Sequence, residues 1–297
     1  MAVDSEGLRC WNLALPLVFS GSSSSTSHST TIKKLMDAAS HRCRVGLIAG
    51  LPVVAMVFLL LYGPMAQNEV LPDYHNFADQ RTLWGVPNFW NVVSNLPFLL
   101  AAIWGLRSVG SRTAFVEKWE RTAYWILLIA VALIAVGSSY YHAWPDDATL
   151  FWDRVPMAVM FMALLATTIG ERISPRGGRL LLLPLLAAAV VSVSYWRVVD
   201  DLRLYLLVQF YPFAAVPLML LLFPPRYSGS AGIFTMIALY GLALGFDRGD
   251  RAVAAIIATG GHPWKHIAGA AAMFAYLSTL AQRRALLVQQ ANPRVST

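Results

Sequence analysis

The stretch TAYWILLIAVALIAVGSSYYH, residues 122–142, decides the fold. It is uncharged up to its terminal histidine and long enough for the roughly 20 mainly apolar residues that a bilayer-spanning helix needs. In lipid, each backbone N–H and C=O must be satisfied within the segment, so a run of this kind reads as a helix. Seven other runs share its character, at about 45–63, 88–106, 150–169, 180–196, 204–223, 232–246 and 262–281. No alternating strand pattern competes. The chain of 297 residues is 57% hydrophobic but only 13% charged, about half the charge of an ordinary soluble domain. The surplus apolar surface has to face lipid. The expected fold class is therefore an all-α integral membrane protein, with a seven-transmembrane helical core over 88–282 and one extra N-terminal transmembrane helix at 45–63.

The segments outside the core have their own composition. Residues 1–44 include the run GSSSSTSHSTT at 21–31, which cannot bury enough apolar area to offset its ordering entropy, so disorder is expected there. Residues 64–87 form a polar outer loop, and 283–297 a short tail. The net charge of +7 is spread through the connections rather than clustered with aromatics, which argues against nucleic acid as a partner. It reports orientation instead. With eight spans, sixteen of the 23 Lys and Arg fall on the side of the two termini and five on the other. The positive-inside rule then makes both termini cytoplasmic. Cys10 and Cys43 share that side, where thiols are expected to stay reduced.

Ionisable groups at membrane depth are costly and commonly functional. The span 122–142 ends in Ser138, Ser139 and His142; the next opens with Asp153 and Arg154 about one turn inside; the last opens GHPWKH with His262, Lys265 and His266. Alternation of spans brings these three ends to the same outer side. His262 and His266, at i and i+4, share a helix face, and such a pair can bridge a divalent metal. A third ligand would leave one position open for water, the arrangement of catalytic zinc. His142 is the remaining histidine at a span end on that side, and Ser138 stands one turn before it. Taken singly, each residue has a bland use. An interfacial histidine can contact headgroups, Ser138 can pack helices, Asp153 can pair with Arg154, and Lys265 can snorkel outward. Their convergence favours a joint site.

The chain over about 79–282 resembles the alkaline ceramidases, within a wider superfamily that includes adiponectin-receptor-like proteins. The resemblance rests on Ser138-x-x-x-His142, Asp153 eleven residues on in DRVPM, His262-x-x-x-His266, and FWNVVSN at 89–95. It implies zinc held by His142, His262 and His266, with Ser138 and Asp153 as catalytic residues beside it. The implied reaction is hydrolysis of the amide of ceramide-like lipids drawn from the bilayer, by metal-activated water. Two departures stand out. Where family members often read Asp-Glu-Leu-Pro-Met, Arg154 reverses the charge beside the site. The family's calcium segment, Glu-Phe-Trp-Asn, reads Asn88-Phe89-Trp90-Asn91 here and leaves Asp79 as its surviving match. Calcium is thereby weakened as a second cofactor, and a structural role for Asp79 in its loop is the competing reading. The alternative function is a seven-helix receptor or sensor in which the zinc is structural; a transporter is disfavoured by the lack of internal repeats.

Overall fold

A computed structural model describes residues 25–110 and 115–286. Expectations for residues 1–24 and 287–297 lie outside the described residues. Two compact units, residues 1–53 and 54–297, divide the chain. Described residues form helices and no strand. In order these are α1 (Ser25–Tyr62), α2 (Gln67–Val70), α3 (Phe89–Val93), α4 (Leu96–Gly110), α5 (Lys118–Ala143), α6 (Asp147–Arg172), α7 (Pro175–Val199), α8 (Arg203–Leu222), α9 (Ser230–Arg248), α10 (Asp250–Ala254) and α11 (His262–Gln282).

Among the described residues, seven helical segments are long and apolar enough to cross a membrane: Leu35–Tyr62 of α1, α3 and α4 together, and α5 to α9. α11 is the further span expected from sequence. It runs 21 residues but falls outside that group, because its ionisable start and the later Ser278, Thr279 and Gln282 dilute its apolar character. α1 begins at Ser25 rather than near 45, inside the segment expected to be disordered. Helix propagation is cheap once an apolar span has nucleated it, and composition alone does not register this. Cys43 is disulfide-bonded, against the expectation of reduced thiols, which rested on compartment chemistry alone.

Each core helix separates two faces. On α5, Ile129, Leu133 and Val136 are exposed, while Leu127, Val131, Ile134, Ser138 and His142 are buried. The exposed stripe follows the helical period, and a soluble monomer would not leave such a surface uncovered. α5 packs against α4 and α6, α6 against α7 and α8, and α11 against α4 and α9. The helix ends are set by local chemistry. Asp146 caps α6 by accepting from Thr149 N at 2.7 Å, and Ser174 caps α7 ahead of Pro175, positions that favour these residue types.

At the end of the bundle away from the histidines, a buried polar network ties the helices together. Tyr124 Oη meets Tyr276 Oη at 2.7 Å and donates to Glu171 at 3.0 Å; Arg283 pairs with the same carboxylate. Tyr227 donates to Glu120 at 2.6 Å. At the other end a glycine lets two backbones meet. A Cβ on Gly137 would collide with the carbonyl oxygen of Trp152 and stand 3.4 Å from the amide of Asp153. Gly137 is thus what allows α5 and α6 to close on each other where Ser138 and Asp153 lie.

Overpacking at such a contact costs about 1–3 kcal/mol, so Gly137→Ala should lower the thermal midpoint in detergent. Gly241, where a Cβ would meet nothing within 4 Å, provides the contrast: Gly241→Ala should leave the midpoint unchanged or raise it. Equal midpoints for the two variants would remove the close-approach argument.

Candidate metal centre

His142 sits in the last turn of α5, while His262 and His266 occupy the first two turns of α11. All three are buried, at 1%, 6% and 4% exposure. Their ring centroids form a nearly equilateral triangle with sides of 4.8, 4.8 and 4.9 Å. One ligand nitrogen from each lies within 4.8 Å of the others. The Nε2 atoms of His142 and His262 are 3.3 Å apart. The three expected ligands therefore come together in one group that could hold a metal ion.

Tautomers are set from behind. Asp247 Oδ1 lies 3.2 Å from Nδ1 of His262, and Ser94 Oγ lies 2.8 Å from Nδ1 of His266. Engaging Nδ1 leaves Nε2 with a lone pair toward the centre, the usual support of a metal-bound imidazole. Nδ1 of His142 has no hydrogen-bond partner; that helix end is held instead by Asn88, which donates to the carbonyl of His142 at 2.8 Å. Buried neutral nitrogen donors that converge and cannot all satisfy one another suit a cation. Among the described residues this is the one His, Cys, Asp and Glu group of three or more so arranged.

Ser138 stands one turn before His142 on α5, and Asp153 near the start of α6. Both are buried, and Ser138 hydrogen-bonds the Asp153 carboxylate. Pairing of Asp153 with Arg154 is not what forms: the guanidinium turns away onto Trp196 and Tyr205. Lys265 does not snorkel outward either. Its Nζ lies 2.9 Å from Asp247 Oδ1, since a nearby carboxylate outcompetes the interface for a partly buried ammonium.

Several positioning residues escaped the sequence reading. Asp250 clamps the outer loop to the start of α11: its Oδ1 accepts from His262 N and its Oδ2 from Ala78 N, each at 2.9 Å. Gly260 turns the chain into this clamp with φ at 69°, where a Cβ would stand 2.5 Å from Asp250 Oδ1. From that loop Phe77 covers His142 and His262, with centroids at 4.6 and 4.8 Å. His75 bridges Tyr141 Oη and Asp147 at 3.0 and 3.2 Å. Asp247 and Asp250 were visible only as charges in GFDRGD, whose distance in sequence from His142 and the loop gave no sign of contact. Ser94 lay within FWNVVSN, but its partner could not be read.

Asp79 is committed inside its own loop. Arg81 donates through Nε and Nη2 to the two carboxylate oxygens, each at 2.8 Å, and through its backbone N–H at 3.0 Å. Asn91 donates to the Asp79 carbonyl at 3.0 Å. This geometry favours the structural role over a calcium ligand. The Arg81 hydrogen bonds hold the Asp79 carboxyl below its usual range.

Fold and site together define a multi-pass helical membrane protein with a buried three-histidine centre at one end of its bundle. Residues 82–223 match the family model described as Ceramidase, a similarity consistent with an alkaline ceramidase-like family. The matched region contains Ser138, His142 and Asp153 and ends before His262 and His266. No curated protein matches the chain.

Removing a ligand should abolish metal binding, while loosening its support should weaken it. His266→Ala is expected to purify without stoichiometric metal, and Asp247→Asn to lose about 10–100-fold in affinity, both read by competition with a chromogenic chelator. Unchanged affinity in Asp247→Asn would show that the carboxylate does not support the ligand. For the loop, a carboxyl with a lowered folded pKa stabilises above its unfolded value, and that contribution fades as pH falls through the folded one. Hydrogen-exchange protection of residues 78–81 should therefore persist at neutral pH and fall below about pH 4. Asp79→Asn should show low protection throughout.

Proposed function

We propose that the protein is a membrane-embedded, zinc-dependent amidase that hydrolyses the amide bond of ceramide-like N-acyl lipids, giving a free fatty acid and a long-chain base. The observation that carries this reading is the convergence of three buried imidazoles beside the Ser138–Asp153 pair, in a chain with a Ceramidase match. Three histidines with a position to spare are the donor set of catalytic zinc. When bound, zinc would supply Lewis acidity and make water a competent nucleophile near neutral pH.

The chain's own residues do the rest. Asp153, buried and hydrogen-bonded by Ser138 one turn before His142, orients the attacking water and accepts its proton. The water oxygen bonds to the amide carbon, the C–N bond breaks, and the proton passes from Asp153 to the departing nitrogen. Ser138 donates to Asp153 in the resting arrangement; turning that O–H to the amide oxygen would stabilise the charge developing there. Phe77 and Tyr141 limit water at the outer mouth. Beneath the polar groups lies an apolar cavity of about 80 Å³. Ile134 lines it one turn below Ser138, Met157 one turn beyond Asp153, and Gly269 and Met273 below His266. An acyl chain placed there would present its amide to the imidazoles. The asymmetry of Lys and Arg supports cytoplasmic termini and a site on the outer, luminal or periplasmic, side.

Zinc-quantified protein offered ceramides should release fatty acid, and Asp153→Asn and Ser138→Ala should each lower turnover roughly 10²–10³-fold while retaining zinc. A protein that binds zinc, turns over no long-chain amide and merely loses stability on chelation would instead be the receptor or sensor.

A further inference from the structure

Arg154 follows Asp153 on α6 and is 2% exposed. Trp196, in the last turn of α7, lies 4.1 Å from its guanidinium carbon; Tyr205, in the first turn of α8, lies at 4.7 Å, and Tyr74 of the outer loop at 5.4 Å. Aromatic contacts occupy the faces of a guanidinium and leave its in-plane N–H donors unanswered. Nε and Nη1 are indeed buried without a hydrogen-bond partner. The surrounding carboxylates take their hydrogen bonds elsewhere. Asp153 is near enough to attract Arg154 but is hydrogen-bonded by Ser138, Asp247 is paired with His262 and Lys265, Asp147 with His75 and Asp201 with Arg203. A buried cation with open donors is unfavourable until an acceptor arrives, so a ligand of opposite charge has a reason to settle there.

Position says which part of a ligand this is. The apolar cavity begins on α6 at Met157 and is not lined by Arg154, whose guanidinium lies instead where the end of α7 meets the start of α8, against Trp196 and Tyr205. We propose that Arg154 recognises an anionic group, a carboxylate or a phosphate monoester, on the amine half of the N-acyl lipid. This rests on the amidase reading and narrows its substrate class. The hydroxyls of a simple ceramide could accept from Nε and Nη1 but would supply no opposite charge, so their hydrogen bonds would be the weaker kind.

Three amides with one acyl chain separate the possibilities: N-oleoylethanolamine, its O-phosphate and N-oleoylglycine. Full-length zinc-loaded protein should cleave at least one anionic amide with kcat/KM roughly tenfold or more above the neutral one, the size of a charge-assisted hydrogen bond. Comparing the two anionic amides tells carboxylate from phosphate. In Arg154→Gln the ratio of anionic to neutral kcat/KM should collapse toward one. Equal handling of neutral and anionic amides by the wild type would overturn the proposal, as would a ratio that survives in Arg154→Gln. A fall for all three amides with the ratio kept would mean a purely structural guanidinium and would also overturn it. Should Arg154→Gln fail to fold, the wild-type ratio still decides. If no amide is cleaved, the amidase reading has failed. Binding of N-oleoylglycine against N-oleoylethanolamine to the zinc-stripped protein, followed by tryptophan fluorescence, then tests Arg154 by itself: tighter binding of the anion supports the proposal, and equal binding overturns it.

Discussion

A histidine buried at membrane depth is costly wherever a ring nitrogen goes unused, because an orphaned polar atom in a low-dielectric setting is expensive; Nδ1 is engaged in His262 and His266 and left open in His142. Much of the histidine end of this bundle answers that constraint. Ser94 and the short helix α3 exist beside α11 to engage His266. Asp247 sits in the last turn of α9 where it serves His262 and Lys265 together. Asn88 holds the α5 terminus by its carbonyl. What these partners leave over is one face of nitrogen lone pairs, and a cation is the economical way to satisfy that face.

The same logic explains why the site is assembled from both ends of the sequence. Asp250 fixes the backbone of His262 and of Ala78 with its two oxygens, so the outer loop and α11 are set by one carboxylate. Phe77 then reaches the imidazoles from a loop that carries none of the ligands. Gly137 removes the atom that would hold α5 off α6. Positioning is thus spread over backbone clamps and a missing side chain, while the ligating groups are few.

How much of this was legible follows from the range of each signal. Spans are local: an apolar run such as 122–142 declares a helix without knowing its neighbours, and the spacing of His262 and His266 declares a shared face. Topological alternation then brought His142 to the same side, which sufficed for the ligand set. Contacts between charged residues were not legible. Asp247 and Asp250 drew no reading and Lys265 read as a snorkelling charge, because nothing in GFDRGD or GHPWKH states which helix end lies opposite. The helical extension of α1 back to Ser25 was missed for a related reason, since serine-rich composition measures burial and not propagation from a neighbouring span.

α5 and α11 each pack on α4, and long side chains join them across the bundle at two levels. At one end Tyr124 and Tyr276 stack and share a 2.7 Å hydrogen bond backed by Glu171. At the other, His142 meets His262 and His266. Between the two levels, small residues of α11 such as Gly269 and Ala272 leave the cavity that Phe98, Phe161 and Met273 wall in. Polar contacts are directional and apolar ones are not, so fixing both ends with hydrogen bonds keeps the helices in register around this cavity. A bundle packed evenly along its length would hold the imidazoles equally well but would lack the apolar space between the two polar levels.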